Sequence, residues 1–146
     1  MKIGIIGAGP RGLSVAERIL YNNQGRHSLE LILFDPEGPG GRVWRLNPAA
    51  RIINELCFST SDAFYRRDVV QWGTVMPGPN LFQWSKGPAT DYIEQTVTKN
   101  KQLFIEEINR LEKDQQSTRC LYGLYQRWFF LKVAEEFQLL LSLSIL

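Results

Sequence analysis

The 146-residue sequence predicts an α/β fold in which the strands of the sheet are parallel. Two apolar runs of strand length, residues 3–6 and 29–34, are separated by an amphipathic segment of helix length. A cluster of glycines lies between the first run and the amphipathic segment. The order of strand, glycine turn, helix and strand is typical of two parallel strands joined by a crossover helix.

The two apolar runs are interpreted as strands that are covered on both faces. Ile3, Ile5 and Ile6 form the first run, which Gly7 ends. The second run ends at Asp35. Mostly apolar runs of this kind are typical of parallel strands buried between two layers of helices.

The segment after the glycines predicts one amphipathic helix. Leu13, Ala16 and Leu20 recur at intervals of three and four residues, so they share one helix face. Glu17 and Arg18 are assigned to the polar face of the same helix. Polar residues and a glycine at positions 22–25 end the pattern.

The glycine cluster predicts a binding site for a dinucleotide. Residues 7–12 read Gly-Ala-Gly-Pro-Arg-Gly and match the spacing G-x-G-x-x-G. Gly7 is expected to form the tight turn, Gly9 to let a pyrophosphate approach the backbone, and Gly12 to let helix and strand pack closely. Pro10 and Arg11 lie where the helix starts, and its unpaired N–H groups would face the same anion. The arrangement predicts a Rossmann-like fold, and a tight turn without a ligand is the alternative.

Asp35 is the expected ligand of the ribose. It lies 23 residues beyond Gly12, at the end of the second predicted strand, where a carboxylate can accept hydrogen bonds from ribose hydroxyls. Pro36 and Glu37 follow it, so a ribose 2′-phosphate would meet negative charge rather than an arginine. The sequence therefore disfavours NADP at this site.

The motif does not decide which dinucleotide binds, because FAD and NAD share the half that it contacts. Residues 3–20 (IGIIGAGPRGLSVAERIL) and 31–44 (LILFDPEGPGGRVW) resemble the N-terminal FAD-binding segment of the FAD/NAD(P)-binding family of flavoproteins. That family is similar to the flavin monooxygenases that hydroxylate lysine or ornithine side-chain amines, and to Baeyer–Villiger-type enzymes. The resemblance implies FAD as the cofactor and NAD(P)H as the electron donor of the complete enzyme.

The resemblance also assigns a second glycine segment to the cofactor. In the family a Gly-Gly segment after the ribose acid lies against the flavin dinucleotide. This implies contacts from Gly40, Gly41, Arg42 and Trp44, with Asn54 as a further contact. Paired glycines allow close backbone approach, and an arginine offers a forked donor to a phosphate or flavin oxygen. An ordinary loop rich in glycine and proline is the alternative.

A third likeness lies at residues 118–128, which resemble the Arg…Gly-x-Tyr-x-x-Trp helix start of the family. Thr118 or Ser117 is expected to cap this helix. One interpretation places Arg119 and Tyr125 near the cofactor, and the favoured one makes Tyr125 and Trp128 core aromatics. The residues expected on one apolar face are Leu121, Leu124, Trp128 and Leu131.

The middle of the chain has less pattern. Residues 59–88 lack sustained periodicity and predict long irregular connections. Residues 89–113 predict helix, which Asn100 divides into two pieces. Phe104, Ile108 and Leu111 form the apolar stripe of this region, and Glu107 is assigned outside it.

Composition and charge exclude several partners. The net charge of +2, without a run of like charges, argues against a nucleic-acid partner. Cys57 and Cys120 stand 63 positions apart and lack the spacing of a redox pair or a zinc site, so no metal is expected. The N-terminus reaches glycine before a long apolar stretch accumulates, so we expect no signal peptide and a cytoplasmic location.

The chain is expected to form one FAD/NAD(P)-binding domain over residues 1–146, the N-terminal part of a longer architecture. Residues 139–146 are too few for a membrane helix of about 20 residues, and no membrane partner is expected. They are interpreted as a third strand, or as the point where the longer architecture is interrupted. The leading hypothesis is the FAD-binding domain of a flavin-dependent oxidoreductase or monooxygenase that is not catalytically complete alone. The alternative is a non-catalytic module that a second chain or domain completes.

Overall fold

A computed structural model describes residues 1–23, 25–44 and 72–137 of the chain. Over these ranges two strands and five α-helices form, with one short 3-10 turn at Arg42–Trp44. The strands are β1 (Lys2–Ile6) and β2 (Glu30–Phe34). The helices are α1 (Pro10–Asn23), α2 (Leu81–Ser85), α3 (Ala89–Thr96), α4 (Lys101–Arg110) and α5 (Arg119–Glu136). The mixed architecture with a small parallel sheet is a partial Rossmann-like fold, as predicted.

The strands β1 and β2 pair in parallel, with Ile3 opposite Leu31 and Ile5 opposite Leu33. Helix α1 connects them, so the predicted order of strand, glycine turn, helix and strand is confirmed. One face of the sheet is apolar and buried, because Ile5, Leu31 and Leu33 are all less than a tenth exposed. This face meets α1 and α5, whose apolar side chains line the space beside Leu31 and Leu33.

The expectation that both strand faces are covered was wrong for β1. Side chains alternate between the two faces of a strand, so Ile6 points away from Ile5. Ile6 is 94% exposed. The described helices pack on the sheet face that holds Leu31 and Leu33, and on the other face a Cβ added at Gly4 would meet only the Phe34 ring. In β1, therefore, an apolar run does not indicate that both faces of the strand are covered.

Helix α1 has the predicted apolar face, with Leu13, Ala16 and Leu20 buried. The assignment of Glu17 to a polar, solvated face was wrong. Glu17 is only 1% exposed, and its Oε1 accepts a hydrogen bond of 2.7 Å from the backbone N–H of Met76. The reason is that a distant segment of the chain covers this side of α1, which helical periodicity cannot reveal.

Polar side chains of α1 hold that distant segment in place. Asn22 Oδ1 accepts from the N–H of Thr74 at 2.9 Å, and Asn22 Nδ2 donates to the Thr74 carbonyl at 3.0 Å. Arg18 donates to the carbonyl oxygens of Trp72 and Thr74. These bonds satisfy the backbone of a segment that belongs to no helix or strand.

The remaining helices begin where capping residues occur. Asn80 and Gln83 form a reciprocal capping box that starts α2, a five-residue helix in a region predicted to be irregular. Asn100 adopts a left-handed conformation with φ of 57° and separates α3 from α4, which confirms the predicted break. Thr118 caps α5, and its side chain accepts from the N–H of Leu121, as predicted.

The prediction that Glu107 of α4 lies outside the buried stripe was also wrong. Glu107 is 7% exposed, because its carboxylate accepts from the Thr118 backbone N–H at 2.7 Å and from the Thr118 hydroxyl at 2.9 Å. This carboxylate joins the last turn of α4 to the first turn of α5. The predicted stripe of Phe104, Ile108 and Leu111 is buried as expected.

Helix α5 lies at the centre of the core. Tyr125 is fully buried, its hydroxyl donates to the Pro79 carbonyl at 2.6 Å, and its ring stacks on Trp128 with centroids 6.3 Å apart. Trp84 of α2 packs against the same pair. Tyr125 and Trp128 are therefore core aromatics, the interpretation that the sequence favoured. Leu131 departs from its predicted face and is 48% exposed.

Some sequence predictions fall outside the described residues. These are the cofactor contact from Asn54, the thiol of Cys57 and the third strand at residues 139–146. Within residues 1–23, 25–44 and 72–137, no helix has both the length and the apolar character needed to cross a membrane.

Replacing Glu17 with glutamine is expected to raise the stability of the fold at neutral pH. Burial raises the pKa of Glu17, while the Met76 N–H bond and the charge of Arg18 oppose the shift. A carboxyl group whose pKa is higher in the folded chain stabilises the fold fully below its unfolded pKa, and this contribution is lost as the pH rises through the folded value. Glu17→Gln keeps an acceptor for Met76 and should raise the melting temperature by a few degrees at neutral pH.

Thermal unfolding followed by circular dichroism from about pH 4 to about pH 8 measures this effect. The two proteins should converge at the acid end, where Glu17 is protonated in wild type. Glu135→Gln is the matched control, because Glu135 is an exposed acid paired only with Lys132 in the described ranges. A Glu17→Gln variant that melts lower across the whole range would show that the ionised carboxylate stabilises the fold.

Candidate dinucleotide site

The first glycine segment makes the turn from β1 into α1. Gly7 has a φ of 97°, and its N–H donates to the Phe34 carbonyl at 2.7 Å. A Cβ at Gly12 would lie 1.9 Å from the Gly7 carbonyl oxygen, so helix and strand approach as closely as the sequence predicts. Gly9 differs from both, because an added Cβ would meet only the Gly40 carbonyl oxygen, at 4.0 Å. Open space therefore adjoins the backbone of Gly9.

Helix α1 presents its N-terminus to this open space. Pro10 is its first residue and has no N–H, and the Leu13 N–H closes the first turn on the Gly9 carbonyl at 3.0 Å. The N–H groups of Arg11 and Gly12 belong to the first turn and have no acceptor within the helix. The Arg11 side chain is exposed. Backbone donors, the helix dipole and a cation thus lie together beside Gly9.

Asp35 lies at the end of β2 and joins the two strands. Its Oδ2 accepts from the Ala8 N–H at 2.7 Å, and its Oδ1 accepts from the Glu37 N–H at 2.8 Å. A carboxylate has about four lone-pair sites, so each oxygen keeps one further site for a donor. Asp35 therefore fixes the glycine turn and keeps accepting capacity on both oxygens.

The second glycine segment packs directly on the first. The Gly40 N–H donates to the Ala8 carbonyl at 2.9 Å. A Cβ at Gly41 would lie 3.3 Å from the Gly9 Cα, and Gly40 and Gly41 have φ values of 98° and 70°. The structure thus brings together the two glycine segments that the sequence singled out separately.

Arg42 and Trp44 follow in the 3-10 turn that leads away from the glycines. The Arg42 side chain is exposed. The Trp44 ring packs on Tyr122 of α5 with centroids 4.8 Å apart, and the Arg119 guanidinium lies 5.9 Å from the Trp44 ring centroid. Arg119 therefore lies against the 3-10 turn, whereas Tyr125 faces the core.

The sequence analysis did not predict that α5 packs against the second glycine segment and the 3-10 turn. A Cβ at Gly123 would lie 2.1 Å from the Trp44 carbonyl oxygen, and a Cβ at Gly40 would lie 3.6 Å from the Gly123 oxygen. The sequence does contain an indication of this contact, namely a glycine inside a predicted helix. Such a glycine costs about 1 kcal/mol relative to alanine, which indicates that another part of the chain packs closely against it.

The geometry at Gly9 offers space and N–H donors to an anionic group. Gly9 leaves room for close approach, α1 supplies N–H donors, and Asp35 lies at the end of the neighbouring strand. Within the described ranges no group of three His, Cys, Asp or Glu side chains gathers to hold a metal ion. Burial and the charge of Glu107 raise the pKa of the Cys120 thiol, which disfavours the reactive thiolate.

A parallel strand pair with this glycine turn defines a dinucleotide-binding domain of the Rossmann type. Comparison with protein families gives the same class: the family described as FAD-NAD(P)-binding matches residues 4–145. The chain belongs to this family. No solved structure shows a significant match to the chain.

Curated relatives are considerably longer than the chain. L-Aspartate N-monooxygenase (nitrosuccinate-forming) of Streptomyces davaonensis is 32% identical over 86% of this chain and 20% of its own length. The protein of the same name from Streptomyces cremeus is 31% identical over 91% of this chain and 21% of its own length. Nitrosuccinic acid synthase npaA of Aspergillus oryzae is 29% identical over 92% of this chain and 18% of its own length. The chain spans about a fifth of each of these relatives.

Gly123→Ala should destabilise the fold although alanine is the better helix former. Alanine in a helix normally gains about 1 kcal/mol over glycine. At Gly123 the added Cβ would overlap the Trp44 carbonyl, and overpacking of this kind costs about 1–3 kcal/mol. Urea unfolding of the variant should therefore show a lower free energy of unfolding than wild type.

Gly4→Ala is the matched control, because a Cβ there meets only the Phe34 ring, at 3.1 Å, and a side chain can move aside. It should change stability less than Gly123→Ala. A gain in stability for Gly123→Ala would contradict the close contact between α5 and the 3-10 turn.

Proposed function

We propose that this chain binds FAD, with the ADP half of the cofactor against the first glycine segment and α1. The observation that carries the proposal is the open space at the backbone of Gly9, beside the N-terminus of α1. Membership of the FAD-NAD(P)-binding family supports a dinucleotide there. The names of the curated relatives favour a flavin, since monooxygenation of an amine commonly uses one.

Each residue of the proposed site has one task. The N–H groups of Arg11 and Gly12 donate to the pyrophosphate, and Gly9 lets it come close. The exposed Arg11 and Arg42 side chains offset its negative charge. When bound, FAD supplies the redox chemistry, and these residues hold it in place.

Asp35 is proposed to accept hydrogen bonds from the ribose hydroxyls. Its two bonds from Ala8 and Glu37 orient the carboxylate at the end of β2 and leave lone pairs on both oxygens. A 2′-phosphate at this place would meet the charges of Asp35 and Glu37, so we propose that NADP is disfavoured at this site.

The substrate class follows from the relatives and is a proposal for a longer protein. We propose that the chain is the FAD-binding part of a monooxygenase that acts on the amino group of an amino acid, with NAD(P)H as electron donor. Because the chain spans about a fifth of the aspartate N-monooxygenases it matches, the substrate pocket and the donor site belong to other segments of such a protein. We further propose that residues 1–146 form one domain, which the single core shared by α1, β2 and α5 supports.

A non-catalytic nucleotide-binding module that needs a partner chain or domain is the second candidate. The side chain of Ile6 favours it, being 94% exposed at the end of β1. The sheet has two strands in the described ranges, and a further layer against Ile6 would cover its exposed face.

Gly9→Ala tests the cofactor site without disturbing the fold. The added Cβ has no neighbour closer than 4.0 Å, so the melting temperature should change little. The same methyl group occupies the space of the pyrophosphate, and we expect FAD affinity to fall at least about tenfold, or about 1.4 kcal/mol. Flavin fluorescence titration measures the affinity, and the absorption spectrum of the desalted protein shows retained FAD.

Gly87→Ala is the control, because Gly87 follows α2 and its added Cβ meets only backbone of that helix, at 3.2 Å and beyond. It should bind FAD like wild type. Equal FAD affinity in Gly9→Ala and wild type would remove the proposed site. Tight binding of NAD with no binding of FAD would identify a nicotinamide site, and a folded chain that binds neither would favour the partner-dependent module.

A further inference from the structure

Gln126 of α5 is a buried polar side chain beneath the second glycine segment. It lies one helical turn beyond Gly123 and is 1% exposed. Its Cβ lies 3.9 Å from the position that a Cβ on Gly40 would take. Neither the amide nitrogen nor the amide oxygen has a hydrogen-bond partner in the part of the chain that the structure describes.

Such a side chain calls for a physical reason. Buried polar groups are almost always hydrogen-bonded, and an amide that has lost water without gaining a partner opposes folding. Methionine has a similar length and would fill the same space without this penalty. A glutamine at this position therefore fits a state of the protein in which the amide does have a partner.

The Gly40 carbonyl group, in the backbone next to Gln126, would repel the phosphates of the proposed ligand. The Gly40 carbonyl oxygen lies 4.0 Å from the Cβ position of Gly9, at the edge of the proposed pyrophosphate site. A carbonyl oxygen is the negative end of a dipole and repels a phosphate. Gly40 and Gly41 lack side chains, so the peptide between them can rotate once the 3.0 Å hydrogen bond from the Gly41 N–H to the Gly38 carbonyl is broken.

We propose that Gln126 is a positioning residue for the dinucleotide, whose amide N–H donates to the Gly40 carbonyl when the ligand is bound. The bond draws this carbonyl away from the pyrophosphate and gives the buried amide its partner. Gln126 itself does not touch the ligand. The inference rests on the proposed function, because it requires an anion beside Gly9.

Gln126→Met separates this role from a purely structural one. The variant keeps the length of the side chain and removes its donor. We expect FAD and ADP affinity, measured by titration calorimetry on the full chain, to fall about tenfold, which corresponds to about 1.4 kcal/mol. The melting temperature without ligand should stay equal or rise, because an unpartnered polar group is removed.

Trp84→Phe is the matched control. The Trp84 indole N–H is also buried without a partner in the described ranges, but it lies among the aromatic rings of the core. Its removal should leave FAD and ADP affinity unchanged. A nitrogen-15 spectrum of the wild-type chain gives an independent measurement, in which the Gln126 side-chain amide protons should shift downfield and exchange more slowly when ADP is added.

The outcomes distinguish the two levels of proposal. If wild type binds FAD and ADP and Gln126→Met binds them equally well, the role of Gln126 is overturned and the proposed function stands. If Gln126→Met does not fold, the wild-type amide resonances decide, and their failure to respond to saturating ADP overturns the inference. If wild type binds neither ligand, the proposed function fails, and the inference fails with it.

Discussion

Direct contact between backbone and backbone holds the candidate site together. A side chain at Gly12 would overlap the carbonyl of Gly7, and one at Gly123 would overlap the carbonyl of Trp44. Gly41 packs closely on the first glycine segment, where an added Cβ would lie 3.3 Å from the Gly9 Cα. Because protein interiors are closely packed, each of these contacts fixes one element against the next: α1 against β1, the second glycine segment against the first, and α5 against the 3-10 turn. These three contacts together determine the shape of the opening beside the first glycine segment.

Helix α5 connects this site to the core because two of its faces are buried for different reasons. Leu124, Tyr125 and Phe129 pack into the apolar interior, while Gly123 and Gln126 face the glycine segment. A helix with only one buried face would show a clear polar side. Burial on both sides removes that contrast, so the loop-facing residues do not stand out from the apolar ones by periodicity. Helix α5 thus contributes residues both to the aromatic core and to the packing of the second glycine segment.

The parts of the fold that the sequence predicted are those determined by local interactions. The β1, α1 and β2 unit depends on a turn motif and on apolar spacing within 35 residues, and the Asn100 break and the Thr118 cap are equally local. The errors for Glu17 and Glu107 concern hydrogen-bond partners outside their own helices. Glu17 was assigned to the polar face because its hydrogen-bond donor, the Met76 N–H, is 59 positions away in the sequence. Periodicity indicates which side chains avoid water, but it does not show which polar side chains acquire a buried partner.

The buried polar atoms that lack a partner in the described ranges differ in what can compensate them. The second oxygen of Glu17 can take a proton, which agrees with the raised pKa of that carboxyl. The Trp84 indole lies among aromatic rings, with centroids 5.5 Å from Tyr125 and 6.2 Å from Trp128, and ring faces accept weakly from N–H groups. The Gln126 amide cannot gain or lose a proton, and it lies next to the backbone of Gly40. Neither remedy applies to it, and the proposed hydrogen bond to the Gly40 carbonyl would supply the missing partner if the peptide between Gly40 and Gly41 rotates.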